Sequence, residues 1–390
     1  MDARKWDEEE YKSSILKERE LQSLTVFRTV FAPCQNLNTP EIIVAASSDG
    51  SIAPYSISSS ISSYKSASGY LVAEPICLLR GHDGPAYDVK FYDDSLLLSC
   101  GDDGRIQGWK WNQLLDSEIP ISTMQGKDME PILNLVNPQH KGPWGALSPI
   151  PENNAIAIDS QGGSIFSAAG DSFAYCWDVE TTKIKMVFKG HSDYLHCIAA
   201  RNSSNQVFLP TLGPLQFWFS IVVPTSHPVL QTEDTSLSSS LKSAEVTAKG
   251  GLVGALWGED LTYKSIYNSK AYFTICSDGR PFETAAFSSG KTLSIWNLPA
   301  SEPVTRVVTG YPIQDLLFDE NQILAVGAEP VLSRFDMNGT TLSQINCAPQ
   351  SGFSVSLHSC GVTAVGGYGG LVDIISQFGS HLCTFCCRGR

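Results

Sequence analysis

The chain has 390 residues, of which 42% are hydrophobic and 17% charged, and its formal net charge is −13. This hydrophobic fraction is enough to bury a core, and the negative charge argues against a broad nucleic-acid surface, which needs clustered Lys and Arg. Most of the 11 cysteines stand singly. We therefore expect reduced, buried thiols in an intracellular protein, and no metal or cofactor.

The chain is predicted to begin with a helical leader and to continue as one β domain. Residues 1–23 are charged and helix-compatible, and they lack the apolar region of a signal peptide. The β domain is expected to span 24–385, followed by a tail at 386–390. Its first strands are predicted at 25–32, 41–49, 51–57 and 75–79, with the Ser-rich insert 56–68 as a mobile loop.

The next unit carries polar residues that can bond to one another in a relay. The four residues are His82, Ser99, Asp103 and Trp109. An Asp that closes a tight turn can orient the His, the His can bond to the Ser hydroxyl, and that hydroxyl can bond to the Trp ring N–H. Buried polar groups need such partners. We interpret the relay as structural and not as a catalytic His–Asp pair.

A repeated spacing runs along the chain, in which an acidic residue is followed six positions later by a bulky one. The pairs are Asp49 and Tyr55, Asp103 and Trp109, Asp171 and Trp177, and Glu329 and Phe335. Repetition at roughly 40 residues, with Gly-His and Trp-Asp dipeptides, is typical of a WD40 propeller. The sequence predicts an all-β WD40 propeller with seven blades, with eight as the alternative. Later units are predicted over 281–308, 314–345 and 353–385.

Residues 207–284 interrupt this repeat. A fourth unit starts at Gly190-His191, but no Ser-x-Asp-Gly turn and no Trp-Asp follow before residue 280. Three prolines break the apolar run 207–224, which is also too short for a membrane-spanning helix. We predict an irregular fourth blade, in which this run replaces regular strands.

The sequence favours an interaction protein over an enzyme. It contains no Gly-x-Ser-x-Gly and no phosphate-binding loop. The glycine-rich stretch 366–370 falls between two predicted strands with no helix after it, so it predicts a tight turn. We expect no enzymatic activity and no membrane attachment.

Three long runs, 79–111, 162–194 and 365–385, resemble the WD40-repeat family of THO complex subunit 6, in particular its plant members. The resemblance implies a non-enzymatic scaffold in the nuclear THO/TREX complex, which couples transcription to mRNA processing and export. It also implies other THO subunits as partners, no direct nucleic-acid binding, and a nuclear location with the cytoplasm as the alternative.

Plant members of the family also resemble substrate receptors of cullin-4 ubiquitin ligases, linked to abscisic-acid signalling. That alternative function implies binding to the ligase adaptor through a box that ends a blade. In this chain the box residues are Ile165, Asp171, Trp177, Asp178 and Glu180. Glu180 stands where the box has Arg or Lys. This reversed charge is expected to weaken adaptor binding if the contact is buried.

The stretch 207–284 departs most from the family pattern, which has ordinary repeats there. We interpret it as an altered splice product, a gene-model error or an ordered insert. The tail 386–390 has the same interpretation.

Overall fold

The computed structural model describes residues 12–13, 24–33, 41–66, 71–115, 130–160, 162–189, 194–201, 206–209, 217–219, 255–256, 284–289, 291–297, 302–319 and 321–387. Over this part of the chain the structure is mainly strands, which form seven sheets. The predicted leader 1–23 lies outside the described residues except for Lys12 and Ser13.

Three sheets follow one another in the first half of the chain. The first contains β1 (Val26–Phe31), β2 (Ile42–Ser47), β3 (Ser51–Ser56) and β5 (Leu79–Arg80), with helix α1 (Ile57–Ser66) and strand β4 (Leu71–Ala73) between the last two. The second contains β6 (Ala86–Tyr92), β7 (Leu96–Gly101), β8 (Arg105–Lys110) and β9 (Leu133–Val136), with helix α2 (Trp111–Leu115) after β8. The third contains β10 (Asn153–Asp159), β11 (Ser164–Ala169), β12 (Ala174–Asp178) and β13 (Ile184–Phe188).

Four more sheets complete the described fold. The fourth contains β14 (Ala199–Arg201), β15 (Gln206–Leu209), β16 (Phe217–Phe219) and β17 (Ala255–Leu256). The fifth contains β18 (Thr284–Ser289), β19 (Thr292–Asn297) and β20 (Glu302–Val308). The sixth contains β21 (Ile313–Asp319), β22 (Gln322–Gly327), β23 (Val331–Asp336) and β24 (Thr341–Asn346). The seventh contains β25 (Gly352–Leu357), β26 (Thr363–Gly367), β27 (Leu371–Ile375) and β28 (His381–Cys387).

The first strands of neighbouring sheets contact one another, as in a propeller. β1 contacts β6, β6 contacts β10, β10 contacts β14, β18 contacts β21, β21 contacts β25, and β25 contacts β1. The first and last sheets are therefore neighbours. Apart from β4, which joins the last sheet, the strands of each sheet pair antiparallel in chain order, as the repeat predicted. The all-β WD40 fold is confirmed. The seven-blade count stays a prediction, because 220–254 and 257–283 lie outside the described residues.

The hydrophobic cores lie between adjacent sheets, and this position explains where the strands carry apolar side chains. One core joins Leu98 and Ile106 of the second sheet to Ile156 and Tyr175 of the third. The middle strand β7 is buried on both faces after its first residue, whereas the outer strand β9 alternates buried and exposed positions. The alternation fixes the register of β9, since a slip by one residue would expose its apolar side chains.

The fourth sheet is built of short strands, and the predicted irregular fourth blade stays a prediction. β15, which begins one residue before the apolar run, and β16, which lies within it, pair antiparallel with each other. β15 ends at Leu209, directly before Pro210. A proline cannot donate to the ladder, so the residues between prolines are those that can pair. The described parts of the run, 207–209 and 217–219, are therefore short strands of this sheet.

The Ser-rich insert corrects one prediction, since it contains a helix and not a mobile loop. Ile57 is buried and Ile61 packs against the same core, one turn apart on α1. Ser60 and Ser62 donate from their hydroxyls to backbone carbonyls four residues earlier, so both hydroxyls are satisfied within the helix. The predicted strand 75–79 is also corrected, because the fourth strand of this sheet is Leu79–Arg80.

Strand β4, which follows the Ser-rich insert, connects the first sheet to the last. β4 pairs parallel with β28 and becomes the fifth strand of the seventh sheet, with Phe385 opposite Leu71 and Cys387 opposite Ala73. The predicted tail boundary at 385 is therefore wrong by two residues, since β28 runs to Cys387 and both terminal cysteines are buried. Pairing with β4 supplies these residues with ladder partners.

The nine cysteines in the described residues are all free thiols. Burial raises the pKa of Cys77 and Cys176 to about 11. A thiolate is the reactive form, so these thiols are held in the unreactive state. No helix among the described residues has the length and apolar character needed to cross a membrane.

Candidate interaction face

The predicted relay of the second sheet is assembled around His82. Its Nδ1 lies 2.9 Å from Asp103 Oδ1, and its Nε2 lies 2.7 Å from Ser99 Oγ. A carboxylate only accepts hydrogen bonds, so Nδ1 donates to Asp103, and Nε2 is bonded to the Ser99 hydroxyl. His82 and Ser99 are buried. Asp103 also accepts from Asp83 N at 3.3 Å, so the relay ties the loop 81–85 to the turn 102–104.

The electrostatics of Asp103 follow from these bonds. Burial alone would raise the pKa of this carboxyl, but the hydrogen bond and charge of His82 and the bond from Arg105 N lower it on balance. The last link of the relay is seen in the third sheet, where Trp177 Nε1 donates to Ser167 Oγ at 3.1 Å. Trp109 is buried at the matching position of the second sheet.

The third sheet has a histidine that the sequence pattern did not reveal. His140 Nε2 lies 2.6 Å from Asp171 Oδ2, and the same oxygen accepts from the Tyr175 hydroxyl. Asp171 thus has a histidine partner although no Gly-His precedes this unit. His140 belongs to a long loop and is flanked by Gln139 and Lys141, so the only available signal was a histidine 31 residues before the turn Asp.

These turns mark one end of the sheets, which we call the turn face and define by the turns 48–50, 102–104, 170–173 and 368–370. The first strands carry β-bulges at this end, after Val26, Ala86 and Gly352. A bulge re-aims the extra residue. It places Phe27 with its ring centroid 5.5 Å from that of Tyr87 and 5.7 Å from that of Phe353. Three sheets thus contribute one aromatic cluster to the turn face.

A salt-bridged arginine lies one residue beyond the Phe27 bulge. Arg28 Nε lies 3.0 Å from Asp88 Oδ1, and its Nη1 lies 2.6 Å from Asp315 Oδ2. The carboxylates belong to β6 and β21 and are buried, and the Arg28 side chain is 21% exposed. Burial alone would lower the pKa of Arg28, but Asp315 and Asp88 raise it above its ordinary value. The cation therefore joins the first, second and sixth sheets.

The predicted adaptor box does not form one surface. Ile165 and Trp177 face each other across β11 and β12 and are buried. Asp171 precedes β12 at the turn face, whereas Asp178 ends β12 and Glu180 follows it at the opposite end of the sheet. Glu180 is exposed. Of the five box residues, the structure thus leaves Glu180 most open to a partner.

Asp178 is held in its charged form by its own turn. Its Oδ2 lies 2.9 Å from Lys185 Nζ, and its Oδ1 accepts from Thr181 N at 2.7 Å. The bond from Lys185, followed by that from Thr181 N, lowers the pKa of Asp178 to about 2. The carboxylate thus serves the turn between β12 and β13.

This depressed pKa predicts a pH effect. An unfolded Asp has a pKa of about 3.9, so Asp178 stabilises the fold above about pH 4 and loses that contribution as the pH falls towards 2. We expect Asp178→Asn to lose less stability than the wild type between about pH 4 and pH 2. Urea unfolding at each pH measures this. Glu180→Gln, which leaves the turn bonds intact, should keep the wild-type slope, and the same slope for Asp178→Asn would contradict the prediction.

The described residues contain no group of three or more His, Cys, Asp or Glu side chains that could hold a metal ion. Cys383 and Cys386 have the spacing of a Cys-x-x-Cys pair, but both lie on β28. Side chains three apart on a strand point to opposite faces. These two thiols are therefore not placed to share a ligand.

Comparison with known proteins decides the family. Residues 73–110 match the family model "WD domain, G-beta repeat", and this range contains the strands β5 to β8. THO complex subunit 6 from Arabidopsis thaliana is 48% identical over 393 residues, which cover 98% of this chain and 98% of that protein. The chain belongs to the THO complex subunit 6 family.

More distant members of the THO complex subunit 6 family are similar over nearly the same length. The Danio rerio homolog is 24% identical, over 92% of this chain and 96% of its own. The Homo sapiens protein is 23% identical, over 91% of each chain. The family predicted from the three sequence runs is thus confirmed.

Proposed function

We propose that the protein is a non-enzymatic scaffold subunit of a nuclear THO complex, which couples transcription to mRNA processing and export. The observation that carries the proposal is the similarity to a plant THO subunit along nearly the whole chain. The similar region extends beyond a single repeat and contains all the sheets that form the turn face. Fold by itself would not support the proposal, because propellers serve many functions.

The geometry supports a scaffold. Relay and bulge residues fix the turn face on rigid sheets, where Phe27, Tyr87 and Phe353 form a cluster drawn from three of them. Aromatic side chains are enriched in protein interfaces. The net charge of −13 is unfavourable for phosphate contacts, so we propose that RNA is held by other subunits of the complex.

The alternative, a substrate receptor of a cullin-4 ligase in abscisic-acid signalling, receives less support. Adaptor binding would use the box around Trp177-Asp178. Asp178 is engaged by Lys185 and Thr181, and the exposed residue beside it is the acidic Glu180. The residue at this position therefore has the charge opposite to the one that the box requires.

Affinity purification from nuclear extract tests the two functions together. The tagged protein, expressed at its natural level, is expected to recover other THO subunits, and to do so equally well after depletion of the ligase adaptor. Mass spectrometry of the eluate gives the partners, and a second WD40 protein with the same tag is the control. Recovery of cullin-4 and its adaptor without THO subunits would contradict the proposal and favour the alternative.

A further inference from the structure

The long loop between β9 and β10 folds into a hairpin, which we call the 138–149 hairpin. Lys141 and Leu147 form a bridge across it, and Gly142 N donates to Ala146 O at 2.7 Å. At its base, Ser148 N donates to His140 O at 2.8 Å and Gln139 Nε2 donates to Ser148 O at 2.7 Å. The hairpin is therefore held by its own hydrogen bonds and is not an irregular loop.

The base of the hairpin is fixed to the turn face. Asn137 N donates to Gly104 O at 3.0 Å, and Asn137 Nδ2 donates to Pro151 O at 2.9 Å. His140 is bonded to Asp171 at the turn of the third sheet. The projection thus stands on the second and third sheets, at the same end as the aromatic cluster.

The tip of the hairpin holds Trp144 in a conformation that its side chain disfavours. Gly145 N donates to Gly142 O at 3.2 Å, and Pro143 precedes Trp144, whose φ is 67° and ψ is 14°. These features fit a type II turn, in which the third residue has positive φ and is usually Gly or Asn. A bulky residue there is an outlier, and such strain is found at functional sites.

Trp144 is fully exposed, and nearby Leu147 is also exposed. Neither side chain is therefore used by the core of this chain. The hairpin residues 138–149 include Lys141 and His140 and no Asp or Glu, although the whole chain has a net charge of −13. The tip therefore presents the apolar side chains of Trp144 and Leu147 beside the cationic Lys141, whereas the chain as a whole is acidic.

We propose that the 138–149 hairpin inserts Trp144 into an apolar pocket with an acidic rim on another THO subunit, an inference that rests on the proposed function. Trp is the residue type most typical of interface hot spots. A rigid tip loses little conformational entropy on binding. The acidic rim of the pocket follows from Lys141, which would pair with it at the edge of the contact.

Trp144→Gly is the variant that tests the anchor, because Gly adopts positive φ freely and suits the turn. We expect its thermal midpoint to be equal to or above that of the wild type, and its affinity for the THO partner to fall roughly 30-fold, as for loss of a hot spot. Phe378→Gly is the matched control, since Phe378 is 85% exposed in the turn between β27 and β28, at the opposite end of the sheets. Its affinity should be unchanged.

Affinity is measured by titrating the purified full-length chain against reconstituted THO lacking this subunit. Wild-type affinity for the Trp144→Gly variant would overturn the proposal. Failure of the wild type itself to bind THO would instead overturn the proposed function, so the two outcomes are distinct. Lys141→Glu is expected to weaken binding several-fold more in low salt than in high salt. Equal weakening at both salt concentrations, or none, would overturn the acidic rim.

A second copy of the chain is the competing occupant. Sedimentation of the purified protein alone separates the two cases. We expect the wild type and Trp144→Gly to sediment as the same species. A wild-type dimer that the substitution dissociates would overturn the proposal, because the pocket would then belong to another copy of this chain.

Discussion

Replacing Arg28 by Met is expected to lower the free energy of unfolding by about 3–5 kcal/mol, the usual cost of removing one partner from a buried ion pair. Met retains much of the apolar stem but leaves Asp88 and Asp315 buried without the guanidinium that bridges them, and Asp88 keeps Lys90 Nζ at 3.5 Å. Asp88 keeps its bonds from Val89 N and Ile156 N, and Asp315 keeps that from Val355 N. These neutral donors do not replace a guanidinium that bridges both carboxylates. Chemical unfolding followed by fluorescence measures the loss.

Arg105→Met is the matched control for Arg28→Met. Arg105 lies 3.9 Å from Asp103, and its side chain is 38% exposed. Exposed ion pairs contribute at most about 1 kcal/mol, so this change should have little effect. If both arginine variants lost the same small amount, the bridge across three sheets would not stabilise the fold. Adding Asp315→Asn to the Arg28→Met variant should recover part of the loss, because it removes one of the two carboxylate charges that the guanidinium bridged.

Replacing His82 by Ala is expected to destabilise the protein by about 1–3 kcal/mol, because Ser99 and Asp103 each lose a buried hydrogen-bond partner. Asp103 would keep the bonds from Arg105 N and Asp83 N. Ser99 lies at a fully buried position, where water does not replace the imidazole. Thermal and urea unfolding both report the change, and the turn 102–104 should gain amide hydrogen exchange.

His140→Ala shows how much the loss of stability depends on burial, because the His140–Asp171 hydrogen bond is partly exposed whereas the His82 side chain is buried. The His140 side chain is 44% exposed, and Asp171 retains the Tyr175 hydroxyl and Phe173 N after its removal. We expect a loss well below that of the His82 variant. Equal losses for the two histidine variants would mean that burial does not decide the strength of the relay.

The register of the propeller could be predicted because its turn chemistry is local. Asp49, Asp103 and Asp171 each accept from the backbone N–H two residues later, at 3.0 Å in all three turns. An interaction over two residues leaves a short, repeated sequence pattern. The helix α1 left no such pattern, since its stability depends on packing Ile57 and Ile61 against the core shared with β28. Its serines alone favoured a loop.

The candidate site was less predictable than the fold, because its contacts join distant residues. Arg28 is 60 residues from Asp88 and 287 from Asp315. No spacing rule connects them, and each looks like an ordinary surface charge in the sequence. The relay at His82 was visible because Gly-His marks it, whereas His140 reaches Asp171 from a loop without that dipeptide. Exposure of Trp144 depends on a hairpin that only the structure reveals.

Whether this chain is a scaffold subunit of a THO complex can be tested with purified components. The full-length chain is mixed with recombinant THO subunits that lack their own subunit 6, and sedimentation velocity measures the species formed. We expect the chain to move entirely with the complex, at a fixed stoichiometry that survives nuclease treatment. A chain that sediments alone at every concentration, or that joins the complex only when RNA is present, would contradict the scaffold function.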